Sequence, residues 1–227
     1  MTAKSRTLKL ADGSTVSALW QKPKDAKALL VLAHGAGAGM THKNMAAAAD
    51  GLEARGIATL RYNFPYMEKG SKRPDNPPVA QAATRAAIAD AAKLAGDLPL
   101  FAGGRSFGAR MTSQAQSLDP LAQVQGLVFF AFPLHAPGKA GVERADHLKT
   151  IKIPMLFLQG TKDEFAELDL LKSVTKSLGK RAKLHLADHA DHADHSFHAP
   201  AKSGRKDPEV LAEILDAAHD WMLKQAP

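Results

Sequence analysis

The strongest constraint on the fold is an alternation. Short apolar runs of about six residues recur along the chain, and longer amphipathic or alanine-rich stretches separate most of them. Ala28–Ala33, Ile57–Tyr62, Leu98–Gly103, Gly126–Phe132, Pro154–Gly160 and Ala182–Ala187 read as strands. Asn44–Arg55, Val79–Ala95, Ser106–Leu118, Ala166–Leu178 and Pro208–Lys224 read as helices between and after them. Strand–helix alternation of this kind predicts a mostly parallel sheet covered on both faces, an α/β architecture. Asp12-Gly13 between two further strand-like runs, Arg6–Leu10 and Thr15–Trp20, predicts a hairpin at the start. Phe64–Pro78 carries four prolines and several charges and reads as a loop. No domain-sized linker interrupts the pattern, so one domain over residues 1–227 is expected.

Composition narrows the function classes. The chain has no cysteine, which removes disulfides, a thiolate nucleophile and cysteine-based zinc sites. The net charge is +7, from 30 basic and 23 acidic side chains, but the basic residues are scattered. With aromatics at 6 %, a base-stacking platform is not expected, and no nucleic-acid partner is predicted. The N-terminal stretch lacks a long apolar run, and no segment has the length of a membrane span. The expected location is the cytoplasm, without a membrane partner.

The chemistry centres on Gly104-Arg105-Ser106-Phe107-Gly108, a G-x-S-x-G set between a predicted strand and a predicted helix. A sharp strand-to-helix turn there would strain the serine backbone and lift its hydroxyl above the sheet edge, with small flanking residues letting strand and helix pass closely. A serine hydroxyl is a poor nucleophile at neutral pH and needs a histidine base, whose tautomer an acid must fix. In such an architecture the chain order is serine, acid, histidine. Asp163, just past the strand in "IPMLFLQGTKDEF", is the acid candidate, with Glu164 and Glu167 nearby. The histidine belongs in the loop after the last strand. That loop, "LADHADHADHSFHAP", offers His189, His192, His195 and His198 at a spacing of three. Position selects the tract, and spacing does not choose among its members. Histidines and aspartates at this spacing could also chelate a divalent ion, but an extended loop does not preorganise them, and no metal is expected.

Six segments together, "LAHGAGAGM", "RYNFPYMEKG", "GGRSFGARM", "FPLHAPGK", "LQGTKDEF" and "ADHSF", resemble those of a small, lidless α/β-hydrolase of the dienelactone-hydrolase-like kind. The resemblance extends to testis-expressed and chromatin-complex proteins that carry this domain, and it covers nearly the whole chain. It implies an α/β-hydrolase fold without a large lid. It also implies that the catalytic histidine precedes a small residue and an aromatic, which here is His195-Ser196-Phe197. The oxyanion donors it implies are the backbone N–H groups of Phe107 and of Ala36, with Gly37 as the alternative. His34 is expected to shape the same loop. Arg105, His135 and Tyr66 are candidate substrate contacts at the pocket rim, and Arg105 could equally be a structural tie.

A competing class fails on spacing. Gly35, Gly37 and Gly39 after a strand resemble a dinucleotide-binding turn, but the fingerprint then needs glycine where Met40 or His42 stands. The expected function is a serine hydrolase that cleaves a small carboxylic ester or thioester through an acyl-enzyme, with no cofactor. The alternative is a non-catalytic interaction module on the same fold.

Overall fold

The computed structural model describes residues 3–192 and 196–226. Eight strands form one sheet: β1 (Lys4–Lys9), β2 (Thr15–Gln21), β3 (Ala28–Ala33), β4 (Ile57–Tyr62), β5 (Leu100–Arg105), β6 (Val124–Phe130), β7 (Met155–Gly160) and β8 (Ala182–Ala187). Their order across the sheet is β1-β2-β4-β3-β5-β6-β7-β8. The hairpin β1–β2 and the pair β2–β4 are antiparallel, and every pairing from β4 through β8 is parallel.

The burial explains the sequence pattern. Every residue of β3, β4, β5 and β7 is buried, so these strands face helices on both sides and read as continuous apolar runs rather than alternating ones. One face packs on α3 (Pro77–Ala95), α4 (Phe107–Leu118) and α5 (Leu168–Leu178). The other packs on α1 (Lys43–Ala54) and α6 (Asp207–Gln225), where Leu30, Leu32, Phe101 and Val128 meet Met45, Leu52, Ile214 and Met222. Helix α1 ends at Ala54, and Gly56 just beyond it donates its N–H to the Glu53 carbonyl and turns the chain away with a φ of +80°.

Two boundaries differ from the sequence reading for a proline reason. Helix α3 starts at Pro77 rather than Val79, because proline is tolerated in the first turn, where its missing N–H has no intrahelical partner to lose. The expected loop 64–78 holds a one-turn helix, α2 (Pro65–Glu68), which again begins on a proline. The crossover from β6 to β7 contains a single 3₁₀ segment, Glu143–Thr150.

The carboxyl ends of β3, β5, β7 and β8 rise at one edge of the sheet. Open α/β sheets gather ligands at that edge, and the candidate residues of the glycine loop, the elbow, the acid turn and the histidine loop all follow these strands directly.

Candidate active site

Ser106 sits between β5 and α4 with φ 50° and ψ −109°, a conformation that a non-glycine residue adopts only under constraint. The constraint is close packing. A Cβ on Gly104 would stand 2.4 Å from the Ala33 carbonyl oxygen, and one on Gly108 2.6 Å from the carbonyl oxygens of Ala33 and His34. The glycines of G-x-S-x-G therefore let the elbow nest against the end of β3. The Ser106 N–H is held by the Phe130 carbonyl at 3.0 Å. Phe107 is the first residue of α4, where backbone N–H groups have no intrahelical partner and the helix dipole favours negative charge.

The loop after β3 is built on His34. Its Nε2 accepts the Phe64 N–H at 3.1 Å, so Nδ1 carries the proton and donates to the Gly35 carbonyl at 2.8 Å. His34 is a buried, neutral tie between two loops, as its position suggested. Gly37 N–H points to the Tyr66 hydroxyl at 3.3 Å, and both Ala36 and Gly37 are exposed. Tyr66 is thus buried under the glycine loop, in an aromatic group with Phe64 and Phe107, and burial pushes its hydroxyl pKa up.

Asp163 follows β7, and its carboxylate is closed in on all sides. Oδ1 accepts the Phe165 N–H at 2.8 Å, and Oδ2 accepts from Gln159 Nε2 at 2.5 Å and meets His192 Nδ1 at 2.7 Å. Its side chain is 0 % exposed and that of His192 10 % exposed. The His192 ring packs on Phe165 with centroids 4.5 Å apart. A carboxylate at Nδ1 keeps the proton there and leaves Nε2 as the basic nitrogen.

The three described histidines of the tract separate by environment. His189 is exposed and lies 3.4 Å from Asp188, its own neighbour in sequence. His198 pairs with Asp207 at the start of α6, which raises its pKa. His192 meets Asp163. His195, the histidine expected from the resemblance, lies outside the described residues. Among the described residues, no three histidine or carboxylate side chains gather to hold a metal ion.

Two expected rim residues prove to be interior ties. Arg105 is 4 % exposed, and its Nη2 donates to the carbonyls of Ser196, at 2.5 Å, and His192, at 3.4 Å, while its guanidinium stacks over Phe197 at 5.0 Å. It fastens the histidine loop to the residue next to Ser106. His135 is buried: Nε2 accepts the Glu167 N–H at 3.3 Å and Nδ1–H donates to the Ala136 carbonyl at 2.9 Å, so both ring nitrogens are spent within the protein. Arg61, at the end of β4, is also buried, donating to the Met40 carbonyl at 3.0 Å and to Gln21 Oε1 at 3.2 Å.

Sequence reasoning missed Gln159. Its amide N–H₂ donates to the Asp163 carboxylate, and its Oε1 accepts the Phe132 N–H at 2.9 Å. The available signal was a lone polar residue near the end of the apolar run "MLFLQG".

A family model described as an alpha/beta hydrolase domain matches residues 26–223. Solved structures share the fold over nearly the whole chain at low identity. A dienelactone hydrolase from Anabaena variabilis is 17 % identical, with a TM-score of 0.76 over 100 % of this chain and 99 % of its own. An alpha-beta serine hydrolase homologue from Coxiella burnetii is 18 % identical, with a TM-score of 0.72 over 100 % and 99 %. A lidless serine hydrolase of the same class from Xanthomonas campestris is 20 % identical, with a TM-score of 0.73 over 97 % and 95 %. Likeness at this identity speaks for fold, and the family match speaks for descent. With its eight-stranded, mostly parallel sheet and the match over residues 26–223, the chain belongs to the alpha/beta hydrolase domain family.

Proposed function

We propose that the protein is a serine hydrolase that cleaves small carboxylic esters or thioesters through an acyl-enzyme. Ser106 attacks the carbonyl carbon while His192 Nε2 takes its proton. The oxyanion is held by the backbone N–H groups of Phe107 and Ala36, since Gly37 N–H is already directed to Tyr66. The tetrahedral intermediate collapses, and the alcohol or thiol leaves with the proton from His192. Water, deprotonated by the same nitrogen, then attacks the acyl group and restores Ser106. No step calls for a metal or organic cofactor.

The observation that carries this reading is the buried contact of 2.7 Å between His192 Nδ1 and Asp163 Oδ2. It supplies the orienting half of a triad in the expected chain order, with a strained serine at the elbow. It also favours His192 over His195 as the base. The esterase and dienelactone hydrolase descriptions of the structural neighbours support a small ester as substrate.

The test is intact mass after a fluorophosphonate probe, followed by hydrolysis of an ester panel. One adduct, localised to Ser106, together with ester turnover is expected. An unlabelled, inactive wild type would instead support a non-catalytic module on this fold.

A further inference from the structure

On the face of the sheet covered by α1 and α6, beside the histidine loop, lies a cavity of about 360 Å³. That is the lower end of the range small-molecule sites occupy. Its wall includes Leu32 of β3, Met45 and Ala48 of α1, Phe130 of β6, Leu211 of α6 and Phe197. None of Ser106, Asp163 and His192 lines it.

Three charged side chains stand in this otherwise mostly apolar wall, Lys43, Arg105 and Asp207, and of these Arg105 is the buried one. Arg105 is almost completely buried and lines the cavity, and its Nε has no hydrogen-bond partner. Among the described residues no carboxylate pairs with it at contact distance. A buried guanidinium with an unused N–H is costly and is relieved by an acceptor of matching geometry. A carboxylate oxygen can accept the free Nε–H and offsets the buried positive charge. Asp207 stands in the same wall, bound to His198, and its charge disfavours a dianion such as phosphate. The remaining surface rewards hydrocarbon, at about 0.8 kcal/mol per buried methylene.

We propose that this cavity is a second ligand site, taking a small apolar monocarboxylate with its carboxylate on the Arg105 guanidinium and its hydrocarbon against Leu32, Met45, Ala48 and Leu211. The guanidinium that receives the ligand also carries the loop of His192, so an occupant touches the side chain that seats the proposed base. The site itself stands apart from Ser106 and does not depend on the hydrolytic reading.

The test uses protein labelled with ¹³C at the methionine methyls and titrated with octanoate. Met45 lies in the cavity wall. Met67 reports the other side, because its methyl is 3.2 Å from where a Gly39 Cβ would stand in the glycine loop. The Met45 methyl is expected to shift saturably, in wild type and in Ser106→Ala alike. Octan-1-ol is expected to bind at least about tenfold more weakly, since it keeps the chain and lacks the charge. Arg105→Met should weaken octanoate by a similar factor, with Arg105→Lys between the two. Equal binding of alcohol and acid, a shift at Met67 alone, or no saturable shift at Met45 would each overturn the proposal. If Arg105→Met does not fold, the acid–alcohol comparison on wild type decides.

Discussion

His192 Nδ1 stands 2.7 Å from Asp163 Oδ2, and the Asp163 carboxylate has no solvent exposure. Two further donors, Gln159 Nε2 and the Phe165 N–H, hold the same carboxylate in place. An acid so enclosed can hardly rotate, so it dictates which nitrogen of His192 carries the proton and which way the ring faces. The relationship explains why one member of a repeated tract differs from the others.

Ser106→Ala should abolish the fluorophosphonate adduct and lower ester turnover by a factor on the order of 10⁶, as for other triad nucleophiles. Intact mass and a p-nitrophenyl acetate assay read both. An adduct persisting in the variant would move the nucleophile elsewhere.

His192→Ala should reduce turnover to the level of Ser106→Ala, while His189→Ala and His195→Ala keep most of it. Asp163→Asn should cost about 10⁴ in kcat, because the amide favours the wrong tautomer. Should His195→Ala be the inactive variant, with His192→Ala active, the Asp163–His192 contact would be structural only.

Gly108→Ala should be poorly tolerated although it adds a single methyl. Its Cβ would stand 2.6 Å from two backbone carbonyl oxygens that no rotamer change can move. Overpacking of this kind costs about 1–3 kcal/mol or more. Thermal denaturation should show a larger loss for Gly108→Ala than for Gly138→Ala. The latter sits in a positive-φ turn (φ +69°), which strains an alanine, but open space surrounds it and nothing is overpacked.

Short acyl esters, acetyl to butyryl, should exceed long ones in kcat/KM. The β6–β7 crossover, where a helical cap would be inserted, holds only the 3₁₀ segment Glu143–Thr150. A long chain gains its per-methylene burial only where a tunnel exists. No preference for anionic substrates at Ser106 is expected from Arg61 or Arg105, since both are buried and neither presents an exposed positive charge. A p-nitrophenyl series at fixed pH and salt checks this, and a steady rise to octanoyl would contradict it.

His147 should make the fold acid-sensitive. Burial, helped by the nearby Arg110, pushes its pKa down from 6.5 to about 4, and its Nε2 lies 2.8 Å from Ser113 Oγ. The folded state therefore resists a proton that the unfolded state accepts. Stability is full above about pH 6.5 and falls as pH drops from there toward 4. A tenfold difference in proton affinity between the two states corresponds to about 1.4 kcal/mol. Partial solvent screening reduces the whole effect here to a loss on the order of 1–2 kcal/mol. Melting curves of wild type and His147→Gln across that range should converge at low pH. His198, raised by Asp207, works in the opposite sense, and as an exposed pair it contributes less.

The sheet and the elbow were legible in the sequence because their causes are local. Strands buried on both faces must be continuous apolar runs, and ALLVLA and IATLRY were bounded to the residue, as was the partly buried edge strand AKLHLA. The glycines of GGRSFG announce a backbone approach that any Cβ would block. Asp163 became the acid candidate from chain order and the end of a strand. Local pattern offers no such choice among the histidines, because His189, His192, His195 and His198 are equivalent in it. For the described members, tertiary structure breaks that equivalence. Thr161 N–H bonds the Ala187 carbonyl and Lys162 N–H bonds the Ala190 carbonyl, which zips the acid turn to the histidine loop and brings position 192 to Asp163. Arg105 and His135 were likewise undecidable in one dimension. A charged or titratable side chain beside a motif reads as a substrate contact until its hydrogen-bond partners are known. Here those partners are the backbone atoms of segments 87 and 32 residues away, at His192 and Glu167.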